Sequence, residues 1–304
     1  MYKRVGFLVL VLILTAILIP DKLASIRIPV PSILGVETSI IETKLDLNTS
    51  PELASAEQSP QLSARAAFAY DLNAGTALYT KSFDEQVPVA SLTKLATALT
   101  AWDFITPDTE VTVLSEDIRV PGTNLGLVPG ERVKVMDLIA AMLIASSNDA
   151  AQAIARQVGG GSREKFVEMM NRKAETLNLS STRFGNPVGL DSDNNYSSAH
   201  DLSKIVAEIV KNPTLSEFVG TQEKEIVSVD GRFKHKARTT NKLLVESPDE
   251  IIGIKTGFTA QAKGNLIIRA KRGDAQIISI VLGSDNREED TRNLLNWVWS
   301  AYKW

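Results

Sequence analysis

The spacing of apolar residues changes character twice along this chain, and that change limits its architecture more than any other feature. Ala67-Phe68-Ala69-Tyr70-Asp71-Leu72, a turn at Asn73-Ala74-Gly75 and Thr76-Ala77-Leu78-Tyr79-Thr80 read as a β-hairpin. Helical spacing follows: residues 92–104 carry Leu95, Leu99 and Trp102 on one side, 133–145 and 149–158 are apolar, and 163–177 and 201–211 are amphipathic. Gly159-Gly160-Gly161 stops one of these helices and Asn212-Pro213 another. The pattern then turns to strands at 225–229, 251–254, 265–270 and 276–282, and a last amphipathic helix is predicted over 287–304. A hairpin, a block of helices, a block of strands and a closing helix predict an α+β fold with a largely antiparallel sheet. No internal repeat is present.

The N-terminus is built differently. Lys3 and Arg4 precede an apolar run over 5–19 that Pro20 and Asp21 close, which is the pattern of an export signal. Lys22-Leu23-Ala24 is a poor cleavage site, which favours a retained anchor over a cleaved peptide, although the run is shorter than the roughly 20 residues of a spanning helix. Residues 1–24 are therefore expected to be a signal peptide or signal-anchor, with the cations kept inside and the remainder exported. Residues 25–63 are rich in Ser, Thr, Pro, Glu and Ala, poor in aromatics, and expected to be a flexible tether, with a short strand conceivable near 26–30. Order is expected from residue 64 to 304.

Composition excludes several kinds of chemistry. The 304 residues include no cysteine, so thiolate metal sites, disulfides and a cysteine nucleophile are ruled out. With two histidines, His200 and His235, a site of several His ligands is ruled out as well, and both are expected to play surface roles. A net charge of −3 without a basic stripe argues against nucleic acid as a partner. No metal or cofactor is expected.

Three short motifs carry candidate chemistry, and each has decoys. Ser-x-x-Lys occurs at Ser91–Lys94, Ser162–Lys165 and Ser300–Lys303. Ser162 follows three glycines and reads as a helix cap. Lys303 reads as a cation complementing the end of the last helix. Ser91 instead opens a strongly apolar helix, where free backbone N–H groups stabilise negative charge, and Lys94 lies one turn on, on the same face. Leu92, Leu95, Ala96 and Ala98 around Lys94 provide a setting that lowers an amine toward a base, with an N-cap Ser and a surface Lys as the plain alternative. Ser-x-Asn occurs at Ser146–Asn148, Ser192–Asn194 and Ser284–Asn286. The last two lie in turn-like stretches, whereas the first interrupts two apolar helices, as a tight turn or as a site. Lys255-Thr256-Gly257 occurs once, after an apolar strand. Asn178-Leu179-Ser180 and Asn195-Tyr196-Ser197 fit a glycosylation pattern that is too short to carry weight.

From about residue 67 to 304 the chain resembles the D-alanyl-D-alanine carboxypeptidases, the low-molecular-weight penicillin-binding proteins of serine peptidase family S11. The order Ser91…Ser146…Lys255 carries the resemblance. So do the opening hairpin, Pro88-Val89-Ala90-Ser91-Leu92-Thr93-Lys94, Ser146-Ser147-Asn148-Asp149-Ala150-Ala151, Phe184-Gly185-Asn186-Pro187-Val188-Gly189-Leu190-Asp191, Ser197-Ser198-Ala199-His200-Asp201-Leu202 and Gly253-Ile254-Lys255-Thr256-Gly257-Phe258-Thr259. It implies a β-lactamase/penicillin-binding-protein-like fold, an antiparallel sheet flanked by helices with an inserted helical region. It implies Ser91 as nucleophile, Lys94 as its base and Ser146 as proton relay. Asn148, Lys255, Thr256, Gly257 and Thr259 would bind substrate, and the backbone N–H groups of Ser91 and Phe258 would form the oxyanion hole. Peptidoglycan stem peptides are the implied substrate, with β-lactams as covalent inhibitors.

The expected activity is removal of the terminal D-Ala by an enzyme outside the cytoplasm, held to the membrane through its N-terminal segment. A D,D-endopeptidase of cross-links uses the same residues and remains an alternative, as does a non-catalytic wall-binding domain. A β-lactamase of class A needs a deacylating Glu, and residues 176–190 hold only Glu-free, Asp-free sequence. Two departures stand out. Ala262-Lys263-Gly264 replaces the usual Ala-Gly, which brings the local turn into question, and the chain ends at Trp304 without a further β-rich domain. Arg287 is expected to be a solvated residue at a helix start, with a carboxylate-holding role as the alternative.

Overall fold

A sheet with apolar side chains on both faces has to be covered twice, and this requirement sets the layers. The computed structural model describes residues 50–54 and 58–304. The expectations for residues 1–24, and for the tether over 25–49 with its strand near 26–30, fall outside the described residues.

Eleven strands and eight α-helices are formed among the described residues. The strands are β1 (Glu52–Leu53), β2 (Ala66–Asp71), β3 (Ala77–Lys81), β4 (Glu110–Thr112), β5 (Arg132–Lys134), β6 (Glu223–Val227), β7 (Lys234–Arg238), β8 (Ile251–Thr259), β9 (Lys263–Arg272), β10 (Ala275–Ser284) and β11 (Tyr302–Lys303). The helices are α1 (Thr93–Trp102), α2 (Val135–Ile144), α3 (Asn148–Val158), α4 (Arg163–Thr176), α5 (Ala199–Lys211), α6 (Pro213–Gly220), α7 (Lys242–Glu246) and α8 (Arg287–Ala301). A short 3-10 turn, Ala90–Leu92, leads into α1.

The central sheet has five antiparallel strands in the order β3-β2-β10-β9-β8. Alternate residues divide between two cores. Phe68 and Tyr70 of β2, Ile267 of β9 and Ile278, Ile280 and Leu282 of β10 pack with the block α1–α6. Ala67, Ala69, Leu266, Ile268, Ile277 and Val281 pack instead under Leu294, Leu295 and Val298 of α8 and Leu243 and Leu244 of α7. Burial on both sides explains why β9 and β10 read as nearly continuous apolar runs in an antiparallel sheet.

Several boundaries differ from the sequence reading, each for a local reason. The helix expected over 133–145 begins as β5, which pairs with β4 through Val111 and Val133 and only then turns into α2. Pro213 ends α5 and also starts α6, because a missing N–H costs nothing in the first turn, and Asn212 caps α6 by accepting from Leu215 N. β7, Lys-His-Lys-Ala-Arg, is too polar to show strand periodicity; it pairs with β6 and buries only Ala237. β8 continues through Lys255-Thr256-Gly257 instead of ending at Ile254. The last helix stops at Ala301, and Tyr302–Lys303 pairs with Glu52–Leu53, so Lys303 lies on a strand and not in a helical last turn. The end of the expected tether is likewise engaged with the domain: Ala54 N donates to Ala301 O, and Ser63 N and Ala64 N donate to Asp290.

Two buried carboxylates hold the long connections of the helical block. Asp117, fully buried, lies between the guanidinium groups of Arg156 on α3 and Arg163 on α4 at 2.9 and 2.7 Å. Asp149, in the first turn of α3, accepts from the N–H groups of Leu125, Gly126 and Leu127 at 3.0, 3.0 and 3.1 Å. It therefore fastens the loop over 121–127 to the start of α3. Replacing it leaves three inward amides without an acceptor. Asp149→Ala is expected to lower unfolding free energy by on the order of 3 kcal/mol, with Asp149→Asn losing less because one acceptor oxygen remains. Urea denaturation of the two variants beside the parent chain measures this.

Candidate active site

Ser91 lies in a turn whose backbone is under strain. Ala90 before it adopts φ 48°, a left-handed conformation that costs a residue with a β-carbon about 1–2 kcal/mol. Ser91 is not a side-chain cap of α1: no side chain caps that end, and the Thr93 N–H is held by the carbonyls of Ala90 and Ser91. Its hydroxyl instead meets the amine of Lys94, with Nζ 2.9 Å from Oγ. Nζ also donates to Val188 O at 2.6 Å. Lys94 is fully buried.

The third motif lies against the same turn. A β-carbon on Gly257 would stand 2.9 Å from Val89 O and 3.2 Å from Ser91 N, so only glycine lets β8 approach the serine this closely. Lys255 is buried as deeply as Lys94, and its amine donates to Thr256 O at 3.1 Å. Among the described residues neither amine is paired with a carboxylate. Burial, and next the charge of Lys255, hold the Lys94 amine well below the ordinary lysine value of 10.5. Burial, and next the Arg287 guanidinium, bring Lys255 down to about 7.

Arg287 is not the solvated helix-end residue expected. Its guanidinium donates to Gly257 O at 2.9 Å and pairs with Glu288 at 3.0 Å, with 17% of the side chain exposed. The carbonyl that receives it belongs to the motif itself, a tertiary contact with no signature in local sequence. Thr256 shares a hydrogen bond with Thr240. Thr259 donates to Asp191 Oδ1 at 2.6 Å and accepts from Ala262 N at 2.9 Å, tying the strand end to the loop over 184–191. Phe258, between them, is 69% exposed. The departure Ala262-Lys263-Gly264 is accommodated by Lys263 at φ 53°, with its amine on Asp285 at 2.8 Å.

Ser146-Ser147-Asn148 is a turn and also a placed group. Ser147 caps α3 by accepting from Ala150 N, and Ser146 is held at φ 59° and nearly buried. Asn148 donates through Nδ2 to Pro121 O at 2.6 Å, while its Oδ1 is buried with no partner. Gly122 permits this contact, since a β-carbon there would stand 2.7 Å from Nδ2. Ser91, Lys94 and Gly257 are thus joined by direct proximity, Lys255 acts electrostatically on Lys94, and Ser146 lies in the turn before α3, which Asn148 opens. The decoys separate: Ser162 caps α4, and Ser284 bonds Asp290.

The histidines differ from each other. His200 meets Asp84 at 2.8 Å on the surface, whereas His235 lies 3.0 Å from Glu131, a fully buried carboxylate, with 9% of its side chain exposed. Its surface reading is corrected: the polar strand β7 turns this residue inward.

A sequence profile of the family described as D-alanyl-D-alanine carboxypeptidase, Peptidase S11, matches residues 53–286. The chain belongs to this family. It is 33% identical over 250 residues to the D-alanyl-D-alanine carboxypeptidase DacF of Bacillus subtilis, covering 79% of this chain. It is 32% identical to a D-alanyl-D-alanine endopeptidase of Pseudomonas aeruginosa, covering 78% of each. The DD-transpeptidase of Streptomyces K15 superposes with a TM-score of 0.75 at 30% identity, covering 80% of this chain and 100% of that structure. The fold is accordingly the α+β penicillin-binding-protein fold expected from sequence. The chain spans 63% of the length of the Bacillus relative, and 64% and 65% of two Escherichia coli carboxypeptidases, DacD and DacC.

Two buried amines make stability depend on pH. Unfolded, Lys255 keeps its proton up to the ordinary value of 10.5; folded, it releases it near about 7. The unfolded state therefore binds more protons across that window, and stability rises with pH through it. Lys255→Met is expected to flatten part of this rise, leaving the share that Lys94 contributes. Urea denaturation across the window detects the change in slope.

Proposed function

We propose that this chain is a serine D,D-carboxypeptidase that removes the terminal D-Ala from peptidoglycan stem peptides through an acyl-enzyme on Ser91. One observation carries the reading: a fully buried lysine amine, depressed by burial and by a second lysine, lies 2.9 Å from a serine hydroxyl. A neutral amine in that position is a base.

In the reaction as proposed, Lys94 takes the Ser91 proton as Oγ attacks the carbonyl of the penultimate D-Ala. The peptide C–N bond then breaks, and Ser146 relays the proton to the departing amine. Charge that develops on the carbonyl oxygen is received by the N–H groups of Ser91 and Phe258, which are fixed before reaction and need no reorganisation. The unpartnered Asn148 Oδ1 accepts an N–H of the substrate backbone. Lys255 as ammonium, with Thr256 and Gly257, binds the terminal carboxylate. Thr259 contributes by holding the strand end, since its proton goes to Asp191. Water releases the acyl group.

The site of action follows from the substrate: outside the cytoplasm, with the apolar segment over 5–19 as membrane anchor. Among the described residues no helix is long and apolar enough to cross a membrane. The test is intact mass spectrometry after penicillin treatment. A single adduct is expected on the parent chain and none on Ser91→Ala; no adduct on the parent, or one that survives in Ser91→Ala, sinks the reading.

A second reading, D,D-endopeptidase, is favoured by one feature. An open surface depression of about 210 Å³ lined by Thr239, Thr240, Asn241, Lys242, Val245 and Glu246 adjoins Thr256 through the Thr240 hydroxyl. The methyl of a leaving D-Ala fills little of this depression, whereas the longer polar side chain of a cross-linking residue suits a surface lined by Thr, Asn, Lys and Glu. Val245→Trp is expected to lower cleavage of a cross-linked dimer about tenfold relative to release of D-Ala from a pentapeptide, a selectivity within reach of pocket filling. An unchanged ratio of the two rates, followed by chromatography, counts for the carboxypeptidase alone.

A further inference from the structure

The carbonyl that meets Lys94 belongs to a loop built around one carboxamide. Asn186 Oδ1 accepts from the N–H groups of Val188, Gly189 and Leu190 at 3.2, 2.7 and 3.1 Å, and its Nδ2 donates to Leu190 O at 2.9 Å. Four hydrogen bonds from a single side chain fix the peptide planes over 187–190. Pro187 adds a restricted φ, and its carbonyl accepts from Thr97 of α1 at 2.7 Å. Gly189, at φ 87°, lies so close to the nucleophile turn that a β-carbon would stand 1.9 Å from Ala90 O and 2.8 Å from Ser91 N. The loop thus bears on Ser91 from one side and on Lys94 from the other.

We infer that Asn186 is a positioning residue for the proton transfer from Ser91, acting through the Val188 carbonyl. This inference rests on the proposed role of Lys94 as base. A neutral amine has two N–H groups and one lone pair. When one N–H is committed to a carbonyl that cannot move, rotation about the last bond of the side chain is restricted and the lone pair faces the Ser91 hydroxyl. A carbonyl free to swing would leave the amine several orientations, most of them unproductive.

The same carbonyl sets the proton affinity of the amine. Its negative end, 2.6 Å from Nζ, favours the ammonium form and opposes the lowering by burial and by Lys255, the charged group that faces Lys94 from β8. Arg287 of α8 stands behind Lys255, and the loop's own carboxylate, Asp191, is engaged by Thr259.

The experiment uses the full chain with Asn186→Ala and Asn186→Asp. Acylation by benzylpenicillin is followed across pH, and the Lys94 titration is read by NMR of protein labelled in its lysine side chains. Asn186→Ala releases the loop: the plateau rate is expected to fall by up to about a hundredfold, and the acid limb and the Lys94 titration to move to lower pH. Asn186→Asp keeps an acceptor for the three N–H groups and adds a negative charge, so both move to higher pH, with part of the plateau restored. Titrations and limbs that overlay those of the parent in both variants, with rates falling only as the folded fraction falls, overturn the inference. Because the NMR titration needs no turnover, it decides the inference even if the parent chain takes no adduct, an outcome that sinks the proposed function instead.

Discussion

A charged amine buried without a carboxylate is among the most costly groups a fold can hold. Among the described residues Lys94 and Lys255 are two buried amines without such a partner, within electrostatic range of each other, and burial pushes both toward the neutral form. The surrounding structure is arranged to keep them there. The amine of Lys94 has two oxygen partners, Ser91 Oγ and Val188 O, and that of Lys255 has the carbonyl of Thr256. A carboxylate beside either amine would relieve the burial and return its proton affinity toward the ordinary lysine range, which would undo the lowering that the proposed base depends on. The absence of such a partner is therefore a chemical asset held against a structural cost. Strain accompanies it, since Ala90 and Ser146 both sit in the left-handed region.

The loops that carry the site are made rigid by one recurring device, a short polar side chain that gathers successive backbone N–H groups. Asp149 takes three from the loop over 125–127, Asn186 three from 188–190, and Asn241 two at the start of α7. Each satisfies amides that a loop folded inward cannot offer to water. Backbone can then lie as close to Ser91 as glycine permits, at Gly189 of the loop and at Gly257 of β8. The edge strand β8 comes against the serine turn at Gly257.

Parts of this arrangement were legible in the residues alone. The hairpin, six of the eight helices and the strands β6, β8, β9 and β10 follow from apolar spacing, because most of them bury a face along their length. The elements that escaped are those in which tertiary contact outweighs local pattern: β4, β5 and β7 bury one residue apiece, and α6 and α7 are short. Arg287 of the site, and His235 outside it, read as solvated because a polar residue in a polar stretch normally is. Their burial comes from partners thirty and one hundred and four positions away, Gly257 and Glu131.

Context along the chain singled out Ser91 and Lys94 among three similar pairs, and apolar periodicity was enough for an α+β fold, since both are properties of neighbouring residues. Only tertiary structure decided that Lys94 is dry, that a carbonyl of the loop over 187–190 faces its amine, and that Gly257 rests on the serine turn. Solvent exclusion and a field of fixed dipoles arise where distant segments meet. No tripeptide carries them, and they are what lowers the proton affinity of a buried lysine below that of an exposed one.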